Sequence, residues 1–419
     1  MDVKTHIESA EMVHLKSDKG DGSGSDSAAA GFSRARDARE LTVDVIRSVA
    51  GVAGLQRDFA QLQASTGNTL PFACYEWQLT WCRHFLDQDL GILDQPMFYV
   101  IRDGGTCVGM IPLIRTTRRL GGLNVSSVGL LGADPAITEI RTSLVQPGYE
   151  ESVAMAVDAR LKGARDWDWI QWIATGGAFG AALGRARELR WQPLAASYLL
   201  DLPPTWEEFR AGLKRNIRES LRHCYNSLKR DGHRFEFRIV TEKAAVPAAL
   251  DRFFELHVQR AAMRGAVAHP NRFASPVVRN FVYDVCAQFA ERGKLRVFQL
   301  EIAGQVVASR IGFVVGESLY LYYSGFDPHW SRYSVMTTTV AETIKYAIAQ
   351  GITTINLSPG NDVSKTRWGP REVSHQTAYE HSGRLRSRLV RHAYIKASSG
   401  QGLQGWLLQR LMPGRRTWN

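Results

Sequence analysis

The chain has 419 residues, 44% of them hydrophobic, and a formal net charge of +11. That length and apolar content suffice for the cores of two ordinary domains and exclude a chain disordered throughout. Its five cysteines are odd in number and form no C-x-x-C pair, which argues against a disulfide framework or a zinc site and suits a reducing compartment. No run of about 18 apolar residues is present to span a bilayer.

Residues 1–40, rich in Gly, Ser, Asp, Lys and Ala, lack the apolar core of a signal peptide and are predicted to be a disordered tail. Arg102 to Leu113 then reads as strand, tight turn, strand, with Gly105 in the turn. A helix-compatible stretch follows near Glu150 to Lys162, and a strand near Trp169 to Ile173. Gly176-Gly177 and Pro203-Pro204 punctuate the chain where two halves would join.

Thr205 to Lys229 is predicted to be one helix. Thr205-x-x-Glu208 is a capping box, and Phe209, Leu213, Ile217, Leu221 and Leu228 recur at helical spacing. Lys214, Arg218 and Arg222 run beside that stripe, each four apart. Like charges in such a row repel, so they suit either a phosphate-bearing ligand or a solvated face. Glu255 and His257, two apart, would fall on different sides of their helix.

Short Gly-bearing turns at Ala303-Gly304 and Gly316-Glu317 link Leu295 to Ile302, Gln305 to Val315 and Ser318 to Phe326 as three strands. Alternation puts Arg310 on one face with Val306, Ala308 and Val314, where a guanidinium needs an anion, a carbonyl or a structural ion pair. Tyr320 and Tyr322 would share one face of the next strand and Tyr323 the other. Ser334 can cap a helix striped by Met336, Val340, Ile344, Ala347 and Ile348 and ended by Gly351, after which Thr353 to Leu357 reads as a strand. The polar loop Ser358 to Trp368 follows, carrying Lys365. Residues 381–419 hold eight Lys or Arg and no Asp or Glu. With Leu385, Leu389, Trp406, Leu407 and Leu411 they form a basic amphipathic tail suited to an anionic membrane face or an acidic partner, or else a solvated end.

The order β-β-β-α-β, the run Tyr322-Tyr-Ser-Gly-Phe-Asp-Pro328 and the Gly360-x(4)-Lys365-x-x-Trp368 loop resemble the acetyltransferase domain of CelD/BioF2-like proteins. These are GNAT-superfamily members similar to the FemAB aminoacyl transferases. Leu213-Lys-Arg-Asn-Ile-Arg-Glu-Ser-Leu-Arg222 resembles the basic helix that opens that core. The likeness runs from about Pro71 to Tyr379. It implies an α/β (α+β) fold of two tandem GNAT-like domains, each a mixed, largely antiparallel sheet flanked by helices, at 41–200 and 201–380. The hairpin at Gly105 can be laid over the one at Gly304. Opposite Arg310 the first copy has Ile111, and it lacks the Lys365 loop, so the reaction centre is expected in the second copy.

The resemblance implies an acyltransferase that moves an acetyl or longer acyl group from acyl-CoA, with no metal, to an amine or hydroxyl on a cell-surface polysaccharide sugar or its precursor. Lys365 and Arg310 would stabilise developing negative charge and Tyr323 would donate a proton. Lys214, Arg218, Arg332 and Ser334 would hold phosphates. Two departures stand out. Val335 and Thr337 occupy positions where glycines usually let backbone approach a pyrophosphate, and Ser364 replaces the aromatic residue that precedes the lysine in FemAB-like enzymes. The alternatives are FemAB-type transfer from aminoacyl-tRNA, with the basic helix on the nucleic acid, and a non-catalytic member of an exopolysaccharide assembly. The expected location is the cytoplasm, with the basic tail able to dock on the inner membrane face.

Overall fold

The computed structural model describes residues 41–398, apart from 87–90, 121–122, 133–136, 165, 175–176 and 264–268. The tail expected over 1–40, and Trp406, Leu407 and Leu411, lie outside these.

The first half runs β1 (Leu41–Ile46), α1 (Val49–Ala53), α2 (Gln56–Thr66), α3 (Tyr75–Phe85), β2 (Ile92–Asp103), β3 (Thr106–Leu120), β4 (Leu123–Leu130) and β5 (Leu144–Val145). It continues with α4 (Glu150–Gly163), β6 (Trp169–Ala174), α5 (Ala178–Arg187) and β7 (Gln192–Asp201). The second begins α6 (Trp206–Gly212), α7 (Arg215–Arg230), β8 (Phe235–Val240), α8 (Val246–Ala261), α9 (Pro276–Glu291), β9 (Leu295–Ile302), β10 (Gln305–Val315) and β11 (Ser318–Phe326). It ends α10 (Val335–Ala349), β12 (Thr354–Pro359), α11 (Val363–Thr366), β13 (Arg371–His381) and α12 (Leu385–Ser398).

All the strands form one sheet in the order β1-β2-β3-β4-β6-β13-β7-β12-β11-β10-β9-β8, with β5 paired to β3 off this path. Read from either end, the order repeats itself. An antiparallel meander leads to one parallel step, β4 beside β6 in one half and β11 beside β12 in the other, and then to the central antiparallel pair β13–β7. The hairpin turns match too: Gly104 and Gly105 have φ of 51° and 88°, Ala303 and Gly304 of 51° and 77°. Two adjacent positive φ angles give the turn whose twist suits a hairpin.

The centre differs from a simple tandem. Strand β13, last in the chain, lies between β6 and β7 of the first half, while β7 pairs with β12 of the second. The halves have exchanged their final strands. Arg187, at the end of α5, fastens this exchange. It donates to Asp158 of α4 at 2.6 Å and to Glu380 of β13 at 2.7 Å, and its side chain is buried.

Sheet faces follow the apolar alternation. Leu319 and Leu321 of β11 and Ile355 and Leu357 of β12 pack under α6, α7 and α10. On the opposite face Tyr320, Tyr322 and Phe313 join Trp77 of α3 and Phe253, Phe281 and Phe289 of α8 and α9. The latter core also contains Phe98 and Val100 of β2, so the two halves share it. The helix expected over Thr205–Lys229 is broken: Leu213 (ψ 147°) and Lys214 (ψ 147°) are extended between α6 and α7. Gly212 ends the first piece, while the Thr205 hydroxyl accepts from the Glu208 N–H at 3.2 Å as the capping box requires. Leu385 and Leu389 of α12 are 75% and 65% exposed, and no helix among the described residues is long and apolar enough to cross a membrane.

Candidate active site

Strands β11 and β12 pair in parallel only from Ser318 to Tyr320, opposite Thr354 to Asn356, and then part. The parting leaves the far stretch of β11 unpaired on that side. Opposite its Ser324, on the neighbouring strand, is Arg310. Between these points β11 carries one residue more than β10: Arg310 faces Ser324 and Gly312 faces Leu321. This bulge breaks the simple alternation expected for β11. Tyr323 turns to the same side as Tyr322, with ring centroids 4.6 Å apart, and also packs on Phe273 and His257. Bulges often re-aim side chains beside active sites.

At the apex of the opening sits Glu139, on the irregular segment between β4 and β5 of the first half. Three hydrogen bonds pin that segment. The Tyr320 hydroxyl donates to the Glu139 carboxylate at 2.7 Å, the Tyr322 hydroxyl to the Ile137 carbonyl at 2.6 Å, and the Trp77 indole N–H to the Thr138 hydroxyl at 3.1 Å. Burial raises the Glu139 carboxyl to about 7, although the Tyr320 hydroxyl and the charges of Lys365, Arg310 and Arg272 pull it down. Burial and the same carboxylate push the Tyr320 phenol well up.

The second half answers with cations. Arg310 is only 9% exposed, and burial followed by the nearby Arg260 brings it down to about 10. Lys365, on the short helix α11, donates to the Pro359 carbonyl at the end of β12. Burial lowers its pKa, Glu139 raises it and Arg310 lowers it, so Lys365, Arg310 and Glu139 lie within one another's field. Arg260 of α8 donates to the Ser324 hydroxyl at 2.8 Å. Asp362 also faces this group, but its carboxylate caps α11 by accepting from the Ser364 N–H at 2.6 Å.

His257 belongs to the same wall. One ring nitrogen lies 3.0 Å from the Ser324 carbonyl and the other 3.4 Å from the Arg272 N–H, an arrangement a neutral ring meets with one donor and one acceptor. Burial lowers its pKa in agreement. Glu255 instead points outward and pairs with Arg252 at 2.7 Å. Close packing of α8 on β11 explains the glycine in Tyr322-Tyr-Ser-Gly325: a Cβ there would stand 2.4 Å from the His257 backbone nitrogen.

The structure thus brings Lys365, Arg310 and Tyr323 to one region and separates the residues expected to hold phosphates. Lys214 is the N-cap of α7, Arg218 donates to the Ala211 carbonyl at 2.9 Å, and both are exposed. Arg332 stacks on Tyr333 beside Asp231 at the other end of α7. A helix of 16 residues puts its ends about 24 Å apart, so these three do not form one cradle. Ser334 takes the N-cap position of α10 with a left-handed backbone (φ 52°) and no side-chain cap.

Arg367, two residues after Lys365, is a further cation here. Arg367 bridges the Ser220 hydroxyl of α7, at 2.8 Å, and the Thr337 hydroxyl in the first turn of α10, at 3.2 Å. Its Nε is buried without a partner. A guanidinium held by hydroxyls at a helix N-terminus suits a phosphate. Among the described residues the first half offers no equivalent, because α4 opens with Glu150 and Glu151 and the Glu150 carboxylate accepts from the Gly148 N–H at 2.8 Å. No cluster that could hold a metal ion occurs among the described residues.

Residues 215–366 match the family model described as acetyltransferase (GNAT) domain. This stretch is thus similar to an acetyltransferase (GNAT) domain. It spans α7 to α11 and so contains Arg310, Tyr323 and Lys365 but not Glu139. Among curated proteins, none matches the sequence. Solved structures are similar across most of the chain. FemX has a TM-score of 0.53 at 11% identity, with 77% of this chain and 95% of FemX covered. A conserved protein of unknown function from Bacteroides thetaiotaomicron VPI-5482 has 0.50 at 13%, covering 80% and 99%. The C-terminal domain of a putative lysylphosphatidylglycerol synthetase from Agrobacterium fabrum has 0.47 at 15%, covering 83% and 97%. At such identities the likeness is one of fold. The chain has the GNAT fold in the tandem arrangement that its sheet order displays, and the acetyltransferase likeness lies in residues 215–366.

Proposed function

We propose that the protein transfers an acyl group from an acyl-CoA thioester to an amine or hydroxyl in the cleft where β11 and β12 part. The observation that carries this reading is a near-neutral carboxyl, Glu139, set in the field of Lys365 and Arg310 at that opening. A general base works best when its pKa lies near the operating pH. Glu139 would take the proton of the attacking group. Lys365 and Arg310 would favour the charge that develops on the carbonyl oxygen, as fixed cations do in a site shielded from water. Tyr323 would protonate the departing thiolate.

Coenzyme A fits the chain in part. Val335 and Thr337 remain where glycines would be expected, but Arg367 with Ser220, Thr337 and the start of α10 offers a phosphate seat of a different make. When bound, the acyl-CoA supplies the activated thioester. The sugar acceptor suggested by the CelD resemblance remains part of the proposal and rests on that resemblance alone. Aminoacyl-tRNA is the second donor to consider. The exposed Lys214, Arg218 and Arg222 along α7 favour it, since such a row suits a nucleic acid backbone.

Isothermal titration with acetyl-CoA, longer acyl-CoAs and tRNA separates the two. Saturable binding of an acyl-CoA, weakened about tenfold in Arg367→Met, is the expected result. Salt-sensitive binding of tRNA with none of acyl-CoA would overturn the donor assignment.

A further inference from the structure

Arg310 is costly for the folded chain to hold. Its guanidinium is buried, its Nη2 donates to the Leu321 carbonyl at a long 3.4 Å, and its Nε has no partner. Among the described residues no carboxylate lies within 4.0 Å of Arg310, Arg260 or Lys365. The nearby carboxylates are occupied: Glu139 receives the Tyr320 hydroxyl and Asp362 caps α11. The adjoining His257 and His269 add no compensating negative charge. Arg310, Arg260, Lys365 and Arg272 therefore face two carboxylates, one of which, Glu139, holds its proton up to about 7, leaving positive charge in excess around a desolvated guanidinium. An uncompensated buried charge costs several kcal/mol, and a bound anion offsets it.

We propose that the acceptor carries a carboxylate, and that Arg310 seats it with support from Arg260. The proposal rests on the acyltransferase reading and names its acceptor class: a small acid, either a sugar acid or an amino acid, bearing the nucleophilic amine or hydroxyl beside its carboxylate. The unpartnered Nε of Arg310 and its weakly bonded Nη2 present the planar fork that takes the two oxygens of a carboxylate. Lys365, on the short helix α11 after β12, is placed beside charge that appears during reaction. Arg310, fixed mid-strand and desolvated before any reaction begins, calls for a partner already charged in the ground state, beside which its field also reaches the developing charge. The first half agrees, because Ile111 stands at the corresponding place in β3 and is fully buried among apolar neighbours.

Calorimetric titration with ligands that differ in the carboxylate tests this: D-glucuronate against D-glucose, and L-alanine against ethylamine, in wild type, R310M and R310K, with acetyl-CoA titrated in parallel. One acid is expected to bind at least tenfold tighter than its neutral partner, and which pair shows this identifies the source of the carboxylate. R310M is expected to abolish the preference, to keep acetyl-CoA affinity within threefold and to melt no lower than wild type, since it removes an unpaired buried charge. R310K is expected to retain part of the preference. Equal binding of acids and neutral partners, a preference that survives in R310M, or a fall of melting temperature above 5 °C in R310M would each overturn the inference. Loss of acetyl-CoA binding in R310M would overturn it as well, by putting Arg310 on the donor. If wild type binds an acid but no acyl-CoA, the donor reading fails and the carboxylate seat stands. If it binds acyl-CoA without preferring acids, the reverse holds.

Discussion

Glu139→Gln is expected to lower kcat by roughly 10² to 10⁴-fold, the usual contribution of a positioned general base. With acetyl-CoA and a surrogate amine such as glucosamine, wild-type thiol release should rise with pH through about 7, where the carboxyl loses its proton. Profiles of wild type and variant with the same amine cancel the amine's own titration. Only the limb due to Glu139 should disappear in the variant. Stability should move the opposite way. Folded, this carboxyl keeps its proton up to about 7; unfolded, it releases it near 4.5. Between those values the folded chain binds more protons, so the contribution is fully present below about 4.5 and is lost as pH rises through 7. The difference corresponds to ~3 kcal/mol. Urea midpoints at pH 5 and pH 8 should therefore lie closer together in Glu139→Gln than in wild type, with the variant the more stable of the two at pH 8. A variant with wild-type turnover would remove Glu139 from the chemistry.

Arg187→Met is expected to destabilise the fold by about 3–5 kcal/mol, as when one partner of a buried ion pair is removed. The loss leaves Glu380 with only the Trp172 indole N–H at 3.1 Å, while Asp158 keeps Lys162 at 2.8 Å. The effect should be felt beyond α5. Strand β13 begins three residues after Trp368, at the end of the loop that carries Lys365 and Arg367, so loosening its hold on the first half should also slow the reaction. Double substitution with Glu380→Gln offers a cycle: if Arg187 acts through Glu380, the double variant should be little worse than Arg187→Met. Additive losses would place the stabilisation elsewhere.

Much of the second half was legible in the sequence because its signals are local. The limits of β9, β10 and β11 follow from turns at Ala303-Gly304 and Gly316-Glu317, and α10 follows from its apolar stripe and Gly351. What escaped depends on contacts distant in the chain. The break at Leu213 interrupts a stripe whose period continues across it, so periodicity alone could not locate it. The bulge at Tyr322-Tyr323 adds one residue to a strand without altering its composition. The exchange of β7 and β13 needed partners about 180 residues apart to be matched.

Glu139 was missed because the segment before β5 has no helical or strand period. Its one signal, an acidic side chain flanked by Ile137, Thr138 and Ile140, gains meaning only when Tyr320 and Tyr322 are seen to hold it. Arg310 and Lys365 could be singled out as cations in unusual settings, whereas the carboxylate opposite them came from the half expected to be the quieter one.

The direct test of the account is the protonation midpoint of the Glu139 carboxyl, followed by isotope-edited infrared titration in wild type and in Lys365→Met. A midpoint near 7 that rises in the variant, where a cation that lowers it has been removed, is what the shared cleft predicts. A midpoint near 4.5 that ignores the substitution would contradict it.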